Sequence, residues 1–241
     1  MKILALDSTA LTATVALCED TRLIGLYTLN SGSTQSETLL PMVESLMKLM
    51  GWEIKDVDLF ACSRGPGSFT GVRIGAATIK GLAFGTGKPC IGVSTLEALA
   101  HTLIGLGGSG DSILCPVMNA RRGQVYNALF RLSEGKLIRL CEDRALAITE
   151  LQQELSAYSE TIYLNGDGYD ITFANLQHPM LSITPELLRY QNAYSVAMIA
   201  LSEYRNGIIT SDAELSPSYL RLPQAERERN ERLAREAAAQ V

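Results

Sequence analysis

A glycine-rich segment at residues 63–75, with the sequence SRGPGSFTGVRIG, constrains the fold of this chain more than any other stretch. It follows an apolar run at 58–62 that predicts a buried strand, and it leads into a predicted helix over 70–84. The glycines on either side of Pro66 allow positive φ, and the hydroxyl of Ser68 or of the nearby threonine can cap the helix. The pattern predicts a strand-to-helix loop that a phosphate or another backbone could approach closely. A tight turn with no further role is the alternative.

The helix that follows this loop has two usable faces. One face is apolar, and the other consists mostly of small side chains at helical spacing, namely Gly71, Gly75, Thr78, Leu82 and Gly85. Glycine inside a helix costs about 1 kcal/mol relative to alanine, so a stripe of glycines predicts that another helix approaches closely there. That second helix belongs either to a partner protein or to the same chain.

A second helix, predicted over 36–50, carries a wide apolar stripe. Its members fall at helical spacing and include Leu39, Leu40, Val43, Leu46, Met47 and Met50. Core packing is the default for most of such a stripe, but methionine-rich faces also adapt well to partners. We therefore predict a two-helix docking surface formed by Leu39, Val43, Leu46, Met47, Met50, Gly71, Gly75, Thr78 and Leu82.

The order of predicted elements indicates two similar lobes. Three strands, at 2–7, 13–18 and 22–29, precede alternating helices and strands up to a strand at 90–93, which is the layout of an RNase H-like lobe. A looser repeat follows, with strands at 113–118, 124–132, 136–141 and 161–164 and a helix at 149–158. We predict an α/β chain with one lobe at 1–107, a smaller lobe at 108–223 and a charged tail at 224–241.

Composition limits the partners and the compartment. The net charge of −5 and the pI near 5.2 argue against an independent, strongly cationic RNA-binding surface. No run approaches the roughly 18 apolar residues of a membrane span, and the chain starts directly in a strand, so we expect a soluble, cytoplasmic protein. The 5 cysteines are scattered without a CxxC pair, which favours reduced, buried thiols.

The glycine-rich block and its continuation AATIKGLA closely resemble the signature of the bacterial TsaB (YeaZ) family of tRNA threonylcarbamoyladenosine biosynthesis proteins, which is related to the TsaD and glycoprotease-like family. Other segments agree in order, namely ILALDST at 3–9, SETLLP at 36–41, ARRGQVY at 120–126 and PSYLR at 217–221. The resemblance implies an actin-like ATPase (ASKHA) fold with two RNase H-like lobes.

The resemblance also implies a function. A TsaB-like chain would be a non-catalytic subunit that binds and activates TsaD in forming the threonylcarbamoyl group on adenosine 37 of ANN-decoding tRNAs. Its two helices would contact TsaD, and the same patch would form a homodimer when the chain is alone. The ATPase TsaE would join the pair. The chain would contact tRNA only indirectly, through the complex. The alternatives are an autonomous actin-like kinase or ATPase and, least favoured, a glycoprotease-like peptidase.

Related folds bind ATP between the lobes, so we name Asp7, Arg64, Gly65, Gly67 and Ser68 as possible nucleotide-facing residues. The first turn, DSTALT, has an acid at the strand end but no glycine to grip phosphate. The equivalent turn of the second lobe offers Asn119 where the family usually has aspartate. We expect no tightly bound cofactor, with ATP and magnesium only in the complex; in the kinase alternative, Asp7 is the best candidate acid.

Metal and protease chemistry are disfavoured. TsaD carries a histidine pair on the helix after the strand that follows the glycine loop, and this chain has Thr95 and Leu99 there. Its 2 histidines, His101 and His178, are far apart in sequence. Ser68 lacks the GxSxG setting of a serine nucleophile. We therefore predict neither a metal site nor a catalytic residue.

Overall fold

The computed structural model describes residues 1–32, 34–106 and 110–221. Its first sheet has five strands in the order β3-β2-β1-β4-β5. They are β1 (Lys2–Asp7), β2 (Ala13–Glu19), β3 (Arg22–Leu29), β4 (Leu59–Ser63) and β5 (Cys90–Val93). The first three are antiparallel, whereas β4 and β5 run parallel to β1. The strand predictions at 2–7, 22–29 and 90–93 are confirmed to the residue.

Helices cover both faces of this sheet, which explains why β1 is almost continuously buried. Helices α1 (Gln35–Met50) and α2 (Phe69–Ala83) pack on one face. Helix α3 (Thr95–Thr102) and a late helix, α6 (Ala193–Arg205), pack on the other. The alternate side chains of β1 divide between the two cores, with Leu4 and Leu6 facing α1 and α2 and Ile3 and Ala5 facing α6.

The second lobe is built on β6 (Ser112–Asn119), which pairs in parallel with β11 (Thr161–Asn165). Its remaining elements are β7 (Gln124–Asn127), β8 (Phe130–Ser133), β9 (Lys136–Arg139), β10 (Arg144–Ala147), α4 (Ile148–Leu155), α5 (Tyr169–Asn175) and β12 (Leu181–Ser182). The strand predicted over 124–132 is in fact two strands. β7 pairs with the end of β6 and β8 with its start. Between them the buried amide of Asn127 donates to the carbonyl oxygens of Pro116 and Ala128, which stabilises the break.

The predicted second lobe at 108–223 is too long at its C-terminal end. Helix α6 lies within that range, but its buried residues, Val196, Ala197 and Ala200 among them, pack on the first sheet. The chain therefore returns to the first lobe after completing the second. The predicted boundary at 107/108 and the tail at 224–241 lie outside the described residues.

The two lobes meet at α3. One side of this helix, including Leu96 and Leu99, packs against second-lobe residues such as Leu114 and Phe130. Polar groups add to this contact between the lobes. Arg139 in β9 forms ion pairs with Glu97 in α3 and with Asp143, each at 2.7 Å. The hydroxyl of Ser94 donates to Asp143 at 2.5 Å.

Four cysteines are buried and Cys141 is half-buried, and all five are free thiols. Among the described residues, no helix is long and apolar enough to cross a membrane.

Candidate functional site

The glycine-rich loop packs directly on the first turn of the chain. The amide of Ser68 donates to the carbonyl oxygen of Thr9 at 2.7 Å, and the hydroxyl of Ser68 caps α2 by accepting from the amide of Gly71 at 3.3 Å. Gly65 has the predicted positive φ, at 118°. Gly67 does not, so that part of the prediction is wrong. Glycine is required at 67 for a different reason: a Cβ there would lie 2.4 Å from the carbonyl oxygen of Thr9.

Asp7, proposed above as a nucleotide-facing acid, is completely buried beneath this loop. Its Oδ1 accepts hydrogen bonds from the amide and the hydroxyl of Thr9, at 2.8 and 2.7 Å. Burial raises the pKa of the Asp7 carboxyl above its ordinary value, although the Ser63 side chain and the Thr9 bonds oppose this shift. Asp7 therefore acts in the structure as a link within the first turn and does not line the space between the lobes.

That space is a cleft of about 470 Å³. Three groups of residues line it: the first turn and the glycine loop, the β6–β7 turn with Asp167, and the C-terminal segment. They include Leu11, Gln35, Gly67, Ser68, Phe69, Met118, Asn119, Arg121, Tyr126, Asp167, Tyr219 and Arg221. Of the predicted nucleotide-facing residues, only Gly67 and Ser68 lie at the cleft. Arg64 is exposed outside it, and Gly65 is buried against the carbonyl oxygen of Ser218.

Charges of both signs lie around the cleft. Asp167 opens to solvent, but the surrounding protein raises the pKa of its carboxyl to about 6 by desolvation, against the hydrogen bond of 3.0 Å that it accepts from the amide of Asn119. Arg221, which also lines the cleft, donates to the carbonyl oxygen of Ala120 at 2.9 Å and to Gln124. The cleft can hold a small polar ligand, and on its first-lobe side the glycine loop is hydrogen-bonded to the carbonyl oxygen of Thr9 in the first turn.

The predicted docking stripe of the first helix lies inside the chain. Leu39, Val43, Leu46 and Met47 belong to the core between α1, α2 and the sheet, and each is at most 6% exposed. Their assignment to a partner interface is therefore wrong, because the sheet itself covers the stripe. Met50, at the helix end, is 40% exposed and remains available.

The small stripe predicted on α2 is also mostly internal. A Cβ on Gly71 would lie 2.0 Å from the carbonyl oxygen of Ser8, and one on Gly75 would lie 2.6 Å from the Ser8 hydroxyl. These glycines admit the first turn of the same chain, so their placement on a docking surface is wrong. Thr78 and Leu82 are half-buried, and Leu82 packs against the same core as α1.

Other residues form the solvent-exposed side of α1 and α2, which we call the outer helix face. It consists of Arg73, Ala77 and Gly81, which share one side of α2, with Phe84 at the end of that helix and the exposed apolar residues Leu40, Leu49 and Met50 of α1, where Glu44, Ser45 and Lys48 are exposed as well. Leu49 is 65% and Phe84 79% exposed, and a Cβ on Gly81 would meet no atom within 4 Å. The spacing of Ala77 and Gly81 could have indicated this exposed side from the sequence, since it places two small residues one turn apart on the side of α2 opposite the buried Ile79.

Comparison with known proteins identifies the family. Residues 31–229 match the family described as TsaD: tRNA N6-adenosine threonylcarbamoyltransferase. The chain is also 31% identical over 166 residues to the tRNA threonylcarbamoyladenosine biosynthesis protein TsaB of Bacillus subtilis, covering 69% of this chain and 71% of that protein. The chain belongs to the TsaB (YeaZ) family.

Solved structures agree with this assignment. YeaZ from Pseudomonas aeruginosa superposes with a TM-score of 0.78 at 26% identity, covering 91% of this chain and 99% of that one. A polyphosphate/ATP-glucomannokinase from Arthrobacter sp. strain KM superposes with a TM-score of 0.50 at 11% identity, covering 85% of this chain and 99% of that one, and supports the fold alone. The prediction of an ASKHA fold with two RNase H-like lobes is confirmed.

Within the TsaB fold, the positions compared above with the TsaD histidine pair have no access to substrate. Thr95 and Leu99 are both completely buried, and Leu99 packs in the core that joins the lobes. Among the residues that the structure describes, no three His, Cys, Asp or Glu side chains cluster as a metal site would require. At the start of α1, Gln35 donates from Nε2 to the carbonyl oxygen of Ala10 at 2.6 Å and so helps to close the cleft over the first turn.

Proposed function

We propose that this chain is the non-catalytic subunit that binds and activates a TsaD homologue, in formation of the threonylcarbamoyl group on adenosine 37 of ANN-decoding tRNAs. The proposal takes its pathway from TsaB relatives, which are named for tRNA threonylcarbamoyladenosine biosynthesis. The observation that carries the non-catalytic role is the burial of Thr95 and Leu99 in a chain that matches the transferase family over 31–229. The scaffold of the enzyme is present, but neither residue can ligate a metal.

The outer helix face is the proposed TsaD contact. Ala77 and Gly81 let another helix approach closely, while Leu49 and Phe84 supply exposed apolar area. A homologue with similar helices would pack against it as helix on helix. In the absence of TsaD, a second copy of the chain would use the same face, so the homodimer and the heterodimer would exclude each other.

The remaining partners follow from charge and from the cleft. A net charge of −5 favours tRNA being held mainly by the partner. TsaE, an ATPase, would join the pair and supply ATP hydrolysis. Any nucleotide and magnesium would bind only in the assembled complex, because the first turn lacks the glycine of a phosphate-binding hairpin and is hydrogen-bonded to the glycine loop through Thr9.

The rival function, an autonomous actin-like kinase or ATPase, has one observation in its favour, the interlobe cleft of about 470 Å³. Its candidate acid, Asp7, is buried and already bonded to Thr9. Calorimetric titration of the purified chain with Mg-ATP separates the two functions. We expect no binding by the chain alone, and tight binding with hydrolysis would favour the kinase.

The decisive test is a reconstituted tRNA modification assay with TsaD and TsaE homologues, with and without this chain. Ala77→Arg adds a bulky charge to the outer helix face at an exposed site, so it should abolish TsaD binding and modification while the melting temperature stays unchanged. Gln153→Arg adds the same charge at an exposed site on α4 of the second lobe and should have no effect. Full modification without the chain, or with Ala77→Arg, would refute the proposal.

A further inference from the structure

The segment at 210–221, which we call the brace, runs from the first lobe to the second. It begins at the edge of the first sheet, where the amide of Cys90 donates to the carbonyl oxygen of Thr210 at 2.8 Å. Leu215 then enters the core beneath α2 and is 3% exposed. Burial of this side chain fixes the middle of a segment that has no helix and only one isolated β-bridge.

The brace is bonded to the side of α2. Lys80 donates from Nζ to the carbonyl oxygens of Leu215 and Ala213, at 3.1 and 3.3 Å. Nearer the helix start, the Nε of Arg73 donates to the Tyr219 hydroxyl at 2.9 Å. The ring of Phe69 packs against both residues, 4.7 Å from the Tyr219 ring and 3.8 Å from the Arg73 guanidinium carbon. Arg73 is therefore held by one hydrogen bond and by cation–π contacts with Phe69 and, at 5.8 Å, with the Tyr219 ring.

The end of the brace is bonded to the glycine loop and to the second lobe. The amide of Ser218 donates to the carbonyl oxygen of Arg64 at 2.7 Å. Arg221 donates to the carbonyl oxygen of Ala120 and to Gln124, and its guanidinium lies 5.7 Å from the Tyr126 ring centroid. Arg221 thus binds the turn between β6 and β7, while Tyr219, two residues earlier in the chain, binds α2.

We propose that the brace links the β6–β7 turn to Arg73, so that Arg221 acts as a positioning residue for docking on the outer helix face. Arg73 belongs to that face, and its orientation depends on Tyr219, whose position depends in turn on the anchors at Ser218 and Arg221. Tyr219 and Arg221 both line the cleft. A change in the cleft or in the β6–β7 turn is therefore transmitted to the partner surface through a few bonded residues. This inference rests on the proposed docking of a TsaD homologue.

Two variants test the link at its two ends. Arg221→Gln removes the contacts with the second lobe and alters nothing on α2, whereas Tyr219→Phe removes the bond to Arg73 and keeps the aromatic ring. Arg131→Gln is the matched control, because it removes one positive charge from the second lobe, as Arg221→Gln does. The contact that it removes is the ion pair of Arg131 with Glu160 at 2.9 Å. Solvent exchange of the Arg73 Nε–H and of the Ser218 amide is measured by NMR on the full chain. Affinity for the TsaD homologue is measured in parallel.

We expect Arg221→Gln and Tyr219→Phe each to speed exchange of the Arg73 Nε–H and to weaken TsaD binding by roughly three- to tenfold, the loss expected for one charge-assisted contact. Arg221→Gln should also speed exchange at Ser218, and Arg131→Gln should change none of these. Unchanged Arg73 exchange in Arg221→Gln overturns the brace, whether or not TsaD binds. If Arg73 exchange is faster in Arg221→Gln and TsaD binding is unaltered, although Ala77→Arg abolishes TsaD binding, the role of the brace in docking is overturned. If Ala77→Arg does not affect TsaD binding, the proposed interface itself is wrong.

Discussion

The hydroxyl of Ser8 donates a hydrogen bond of 2.8 Å to the carbonyl oxygen of Gly71, and this bond ties the first turn of the chain to the first turn of α2. The close approach exists because position 71 has no side chain. A Cβ there would lie 2.0 Å from the carbonyl oxygen of Ser8, a backbone atom that cannot rotate away. Gly71 thus serves the fold of this chain.

Gly71→Ala should therefore destabilise the protein by about 3 kcal/mol, the upper part of the usual range for overpacking. Gly81→Ala is the matched control, because its new methyl group meets no atom within 4 Å. That change should stabilise α2 by up to about 1 kcal/mol through helix propensity alone. Urea denaturation of both variants measures the difference, and equal effects at the two sites would contradict the packing described here.

The same comparison shows what the helical pattern could predict. The spacing of Gly71, Gly75 and Thr78 correctly indicated a close approach on one side of α2. It did not indicate that the approaching segment is the turn at Ser8, since periodicity records which residues share a face and not what covers that face. For α1, the stripe from Leu39 to Met47 was likewise a real apolar face whose partner is the sheet.

Asp7 should make the stability of the protein depend on pH. Because burial raises its pKa in the folded state, the native chain binds more protons than the unfolded chain at pH values above the ordinary carboxyl pKa of 3.8. The contribution of this group is therefore most favourable below that value and is lost as the pH rises through the folded pKa. Asn can keep both Thr9 bonds at Oδ1 without a charge.

We expect Asp7→Asn to be at least as stable as the wild type at pH 8. At pH 4 the stability of Asp7→Asn relative to the wild type should be lower than at pH 8. Asp7→Ala should be destabilised throughout this range. Urea midpoints from pH 4 to 8 measure this difference, with the other carboxyls common to all three proteins. A loss of stability in Asp7→Asn that grows with pH would show that the charged form is favoured in the fold.

Asp167 should titrate well above an ordinary aspartate, with a pKa of about 6, because desolvation in the cleft outweighs the bond from the Asn119 amide. Its contribution to stability has the same sign as that of Asp7 and falls as the pH rises from about 4 to 6. Carbon-13 NMR of the carboxyl carbon measures the pKa directly, with Asp167→Asn assigning the signal. Titration near pH 4 would mean that water reaches the carboxyl more freely than the cleft geometry indicates.

The sequence predicted the segments of the second lobe less well, for identifiable reasons. The break between β7 and β8 depends on the buried bonds of Asn127, which a run of strand-forming residues does not reveal. Helix α6 went unrecognised and its range was given to the wrong lobe, because its partner sheet ends at Val93, 100 residues before the helix begins at Ala193. Asp167 lies in the sequence NGDG at 165–168, which is typical of a strand-to-helix turn, so the position of its carboxyl at the cleft is one that the sequence could indicate.

Arg139 in the second lobe provides the last prediction, because its ion pair with Glu97 joins the lobes, while its second ion pair, with Asp143, lies within its own lobe. These side chains are only 19% to 33% exposed, so screening by water is limited. Arg139→Met keeps the aliphatic stem but leaves two carboxylates without their cation, and it should cost about 2 kcal/mol. Arg22→Met removes the pair with Glu19, in which the side chains are 72% and 41% exposed, and should cost less than about 1 kcal/mol. Urea denaturation distinguishes the two variants. If Arg139→Met is no more harmful than Arg22→Met, the ion pairs of Arg139 add nothing measurable to the other contacts that hold the lobes together.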